Sequence, residues 1–192
     1  MTHKARKLST RGRFLTAAAA LAVAGAGTLG AVSASAQPAT AARSGSAAPA
    51  ALKGRATTTS THLTIDAATD AARAALNAAE KENQRVTVAV VDRNGNTVVT
   101  LRGDGAGPQS YESAIEKAYT AVSWNAPTSE LAKRLEQAPN LKDIPGTLFL
   151  AGGTPVTAAD APVAGIGVAG APSGDLDEKF ARAGVAAIAQ GR

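Results

Sequence analysis

Residues 86–102 hold the feature that most restricts how this chain can fold. Val86-Thr87-Val88-Ala89-Val90-Val91 is rich in β-branched residues, whose side chains suit a pleated, half-buried surface. Asp92-Arg93-Asn94-Gly95-Asn96 carries the Asn-Gly dipeptide of a tight hairpin turn, and Thr97–Arg102 returns as a second strand. A hairpin commits its strands to antiparallel pairing, so the remaining elements must extend or cover an antiparallel sheet.

Helical periodicity supplies the cover. Thr64 is placed to cap a helix over Ile65–Glu82, with Ile65, Ala68, Ala72, Ala75, Leu76 and Ala79 on one face. A loop with Gly103, Gly105, Gly107 and Pro108 leads to a helix over Ser110–Ser123, and a short one runs from Thr128 to about Gln137. Thr147–Ala151 reads as a strand, Gly152–Val156 as a turn into an edge segment, and Pro162–Ala169 as the last strand. Within it, Gly165 and Gly167 mark places where another backbone or a ligand comes close. A helix opened by Ser173 or Asp175 closes the chain near Ile188. The order α-β-β-α-α-β-β-α, with hairpins rather than crossovers, describes an α+β domain whose central antiparallel sheet has about five strands.

The first sixty residues stand apart. Lys4, Arg6, Lys7, Arg11 and Arg13 precede an uncharged stretch from Phe14 to Val32, and Ala34-Ser35-Ala36 forms a small-x-small site before Gln37. This is the pattern of a signal peptide over residues 1–36. Gly25, Gly27 and Gly30 dilute its apolarity and argue against a membrane anchor. Arg11-Gly12-Arg13-Phe14-Leu15 approaches a twin-arginine signal without adjacent arginines, so Sec and Tat export both stay open. Residues 37–60, rich in Ala, Ser, Thr, Pro and Gly, read as a disordered linker, leaving 61–192 as the domain. Removing the leader changes the charge argument. The whole chain is +5, but residues 1–60 hold eight bases and no acid, while 61–192 hold twelve bases and fifteen acids, a net of −3. The basic character that would suggest a nucleic-acid partner therefore lies outside the domain. The expected location is secreted and extracellular.

Several chemistries are excluded. There is no cysteine, which removes thiolate metal sites, Cys nucleophiles and disulfides. His62 is the one histidine beyond the leader, at the linker edge, and no G-x-S-x-G elbow or P-loop accompanies it. With aromatics at 3%, the core must be built from Ala, Val, Leu and Ile.

The helix over Ser110–Ser123 holds the best constellation. Tyr111, Ile115, Ala118 and Val122 form one stripe, the expected core face. Glu112 and Glu116 stand one turn apart on a neighbouring stripe continued by Tyr119 and Thr120, and Ser113, Lys117, Thr120 and Trp124 line a third. Oxygen donors grouped this way suit a hard cation such as ferric iron, while Lys117 suits an acidic group and Tyr119 or Trp124 a flat ring. The plain alternative is a solvated helix face with i,i+4 charges. Asp66 and Asp70 form a second i,i+4 acid pair near a helix start, where stabilising the macrodipole is the simpler role. The same applies to Asp175, Asp177 and Glu178. His62 reads most simply as a solvated histidine.

These segments resemble one family. Val88-Ala89-Val90-Val91-Asp92-Arg93-Asn94-Gly95, Glu116-Lys117-Ala118-Tyr119-Thr120-Ala121-Val122-Ser123 and Pro127-Thr128-Ser129-Glu130-Leu131 are similar to the GlcG/HbpS haem-degrading-domain family. So are Gly152-Gly153-Thr154-Pro155-Val156, Gly165-Ile166-Gly167-Val168-Ala169-Gly170 and the Asp177-Glu178 helix. The likeness spans about residues 61–190, and the leader, linker and Trp124-Asn125-Ala126-Pro127 stretch resemble its secreted haem-binding branch. The resemblance implies a haem-binding protein that also binds iron, assembles as a homo-oligomer (an octamer among the sizes it allows) and reports haem or redox stress to a membrane sensor kinase. It implies haem contact through Lys117–Thr120, with Thr120 on the iron side and Tyr111, Tyr119 and Trp124 nearby. The acidic pairs Glu112/Glu116 and Asp66/Asp70 are its candidate iron sites, and His62, as the one imidazole beyond the leader, is the further candidate ligand by residue type. A haem-degrading enzyme and a module for corrinoid or another flat cofactor are the alternatives.

Overall fold

The computed structural model describes residues 50–52 and 54–189, so the leader and most of the linker lie outside the described residues. Four strands form one antiparallel sheet: β1 (Thr87–Asp92), β2 (Thr97–Arg102), β3 (Gly153–Ala158) and β4 (Ala161–Ala169), in the spatial order β2-β1-β4-β3. Four α-helices accompany them: α1 (Ile65–Lys81), α2 (Gln109–Trp124), α3 (Thr128–Arg134) and α4 (Gly174–Ala189). The order and the α+β class match the sequence expectation. The strand number does not, because Thr147–Ala151 is irregular. The backbone pairs with β4 only from Gly153, where the segment read as a turn becomes the edge strand.

Local chemistry explains the elements. Thr64 caps α1, its Oγ1 accepting from Ala67 N at 3.2 Å. The β1–β2 turn bonds Gly95 N to Asp92 O at 3.0 Å with Gly95 at φ +88°, and Asp92 Oδ1 accepts from the amides of Asn94 and Asn96. This is a three-residue loop in which glycine takes the left-handed position, rather than a two-residue turn centred on Asn-Gly. The β3–β4 loop is the two-residue kind: Ala159 and Asp160 both have positive φ, +48° and +61°.

The sheet separates two helical layers. Val88, Val90, Val156, Ala164, Ile166 and Val168 face α1 and α4, enclosing Ala68, Ala71, Ala72, Ala75, Leu76, Ala79 and Phe180. Ala89, Val91 and Ala169 face α2. On that side a Cβ at Gly165 or Gly167 would collide with the Ala118 or Ala114 carbonyl oxygen of α2, and one at Gly153 with that of Lys117. At these three glycines helix α2 therefore rests directly on sheet backbone. Such contact selects small residues. Ala114, Ala118 and Ala121 are fully buried, whereas Tyr111 of the expected core stripe is 43% exposed and Ile115 only half-buried. Ile65 is likewise exposed, since α1 begins before it reaches the sheet.

Candidate functional site

Helix α2 gathers most of the residues singled out from sequence, and its two faces have different uses. Outward, Tyr111, Ile115 and Tyr119 follow one another at four-residue intervals. Glu112 is exposed beside them and Glu116 half-buried. The Tyr119 ring is clasped between two turns: a Cβ at Gly95 would stand 2.9 Å from its edge, and one at Gly146 3.9 Å from the other. Among the described residues no hydrogen bond engages the Tyr119 hydroxyl. This face joins a flat apolar stripe to oxygen donors.

Inward, the side chains are committed to the fold. Thr120 is fully buried; its Oγ1 donates to Glu116 O at 2.7 Å and accepts from Leu148 N at 2.8 Å. Lys117 runs under the start of β3 to α4, where its Nζ donates to Asp177 Oδ2 at 2.8 Å and Val168 O at 3.1 Å. Burial pushes the Asp177 carboxyl above its ordinary value, only partly countered by Lys117 and by the amides of Ala171 and Gly170. A shallow pocket lined by Leu150, Ala151, Gly174 and Asp175 reaches Lys117 from outside. Trp124 is half-buried, meeting Phe149 edge to face at 5.2 Å in a satellite core with Leu131 and Ala126.

The acidic start of α4, expected to serve the helix dipole, has more specific tasks. Asp177 is the counter-charge of Lys117. Glu178 accepts from Ser129 N at 3.0 Å and Ser129 Oγ at 2.8 Å, capping α3, and pairs with Arg182 at 2.6 Å. Burial raises the Glu178 carboxyl, but these hydrogen bonds outweigh it and leave the pKa below the ordinary value. Asp177 and Glu178 are only 3% and 4% exposed. Their roles depend on partners 60 and 49 residues away, which no local pattern reveals.

The candidate iron ligands are not brought together. Asp66 and Asp70 are exposed on α1, across the sheet from Glu112 and Glu116. His62 is exposed and bonds Ser60 Oγ through Nε2 at 2.7 Å. Among the described residues, no three carboxylate or imidazole side chains converge as a metal would require.

Residues 63–186 match the family model described as "Haem degrading protein HbpS-like". No curated protein matches the chain. Among solved structures, a double mutant of HbpS from Streptomyces reticuli is 78% identical, with a TM-score of 0.73 over 74% of this chain and 97% of that one. PduOC in complex with haem is 27% identical, with a TM-score of 0.62 over 67% of this chain and 96% of the other. ORFY of Klebsiella pneumoniae, at 24% identity and a TM-score of 0.65 over 73% and 98%, shares the fold.

Proposed function

We propose, because this chain belongs to the HbpS-like family, that it binds haem on helix α2. The observation that carries the reading to this place is the stripe Tyr111, Ile115 and Tyr119, exposed or half-buried beside Glu112 and Glu116. A porphyrin needs flat apolar contact and, for ferric iron, a hard oxygen or nitrogen donor. The stripe supplies the contact, and the phenols and carboxylates supply the donors. PduOC, solved with haem, has a similar fold.

Haem, when bound, supplies a redox-active iron. The chain's own residues supply position. Tyr111 and Tyr119 would hold the ring, and Tyr119 is braced by the turns at Gly95 and Gly146. Thr120 keeps its place as the iron-side candidate, although its hydroxyl is already shared between Glu116 and Leu148. Lys117 would reach a propionate only by giving up Asp177. Glu112 and Glu116 are the better placed pair for free iron, which Asp66 and Asp70 cannot complete from the far side of the sheet.

The broader reading is a secreted, homo-oligomeric haem and iron sensor acting beside a membrane sensor kinase. Support for export is the leader pattern of residues 1–36, and support for the sensing role is the likeness to HbpS. Haem degradation is the second reading, favoured by the family's own description. Titration of residues 37–192 with hemin is expected to produce a Soret band that is weakened in Thr120→Ala and in Tyr119→Ala. No spectral change at micromolar hemin removes the haem reading. With reductant and oxygen, catalase-resistant loss of the band with a defined tetrapyrrole product would replace binding by catalysis.

A further inference from the structure

We propose that residues 147–151 are a strap over the Lys117–Thr120 segment of α2, hinged at Gly146 and Gly152, whose opening controls ligand entry. The proposal rests on the haem reading of α2 and concerns the regulation of that site.

The strap differs from the chain on either side of it. Pro139–Asp143 is a 3-10 helix and Gly153 begins β3, but residues 147–151 adopt neither helix nor strand. A positive φ stands at each end, +76° at Gly146 and +132° at Gly152, conformations that glycine enters and leaves without a Cβ penalty. Hinges are residues of this kind, able to absorb a change in φ and ψ. At each hinge the chain is fastened. Gly152 O accepts from Val168 N at 2.8 Å, Gly153 N donates to Thr128 Oγ1 at 2.8 Å, and Thr147, the first strap residue, is tied across Gly146 to Ile144 O through both N and Oγ1.

Between the hinges the strap is held at two points. Among the described residues, one hydrogen bond joins residues 148–151 to another element, that from Leu148 N to Thr120 Oγ1. One side chain, Phe149, is sunk, into the satellite core of Trp124, Ala126 and Leu131, and is the strap's apolar anchor, while the adjacent Leu150 is 59% exposed. Opening sends the Leu148 amide to water and leaves Thr120 Oγ1 still donating to Glu116 O. The oxygen lone pair that held Leu148 then becomes available to an incoming cation. The strap's far end, Leu150 and Ala151, also walls the pocket above Lys117, so one motion uncovers both residues.

The test uses residues 37–192 and has two arms. In amide exchange, Leu148 is expected to open at least tenfold faster than Val168, whose acceptor Gly152 lies at the hinge. Thr120→Val is expected to speed Leu148 a further fivefold or more and spare Val168, with Thr120→Ser restoring the slower rate. In rapid mixing with hemin, the observed rate is expected to level off as hemin rises, and Phe149→Ala, or Phe149→Leu if the first does not fold, to raise that plateau severalfold. Leu148 exchanging no faster than Val168 overturns the strap. So does a hemin rate that climbs linearly and is unchanged by the Phe149 variants. A protein with no Soret change in any form loses the haem reading, and the exchange arm then decides the strap alone.

Discussion

At the scale of residues, the Lys117–Asp177 pair shows how charge is used inside this domain. Both side chains are nearly inaccessible, 6% and 4% exposed. Removing one partner leaves the other charged in the interior, so Asp177→Ala is expected to destabilise by about 3–5 kcal/mol, read from urea unfolding. Replacing both, as Lys117→Met with Asp177→Leu, is expected to be close to neutral. The neighbouring carboxylate gives a pH signature of opposite sign. Glu178 has a folded pKa below its ordinary 4.5, so its contribution is full above that value and is lost as pH falls through the folded pKa. Asp177, raised above 3.8, favours the folded state at low pH and loses that advantage as pH rises. Glu178→Gln is therefore expected to flatten the loss of stability between about pH 5 and pH 3, measured as the urea midpoint at each pH. Neither role was legible in the sequence. An acid in the first turn of a helix looks the same whether it faces water or a lysine brought from another layer.

At the scale of elements, legibility followed how local the determining contact is. The β1–β2 hairpin announces itself in four consecutive residues, and the α1 cap in one threonine. The β3–β4 turn does not, because Ala159 and Asp160 occupy left-handed positions that Asn-Gly would signal. Ala159→Asn with Asp160→Gly is expected to relieve roughly 1 kcal/mol of backbone strain. Calorimetry should show that gain as a melting temperature about 3 °C higher. Thr147–Ala151 has the composition of a strand but follows a 3-10 helix and a left-handed glycine, and pairing begins two residues later. The sequence pattern turns Tyr111 and Ile115 of helix α2 toward the core because they outweigh alanines on any hydrophobic scale. What turns the alanines inward is the missing side chains of Gly153, Gly165 and Gly167, a property of the facing surface. Gly167→Ala is accordingly expected to prevent α2 from docking, seen as loss of cooperative unfolding.

At the scale of the molecule, residues 1–36, the proposed leader, carry the chain's excess charge. Residues 37–192 hold fifteen bases and fifteen acids, so that segment alone is expected to pass a cation-exchange column at pH 7 that retains the full chain. Near-zero net charge lowers the barrier between copies, which suits a cysteine-free domain gaining stability through assembly. Mass measurement across the hemin titration tests that proposal directly. The bare contact between α2 and the sheet has one more consequence, for how the protein can be observed. Where a helix is seated on peptide groups, as at Gly165 and Gly167, it passes a tilt to them with no side chain of theirs to absorb it. The amides of Gly165 and Gly167, which resonate in the glycine region of a nitrogen–proton spectrum away from most other signals, thus become built-in strain gauges. They lie against the inward side of α2, so they are placed to register any movement of the helix that carries the proposed ligand stripe.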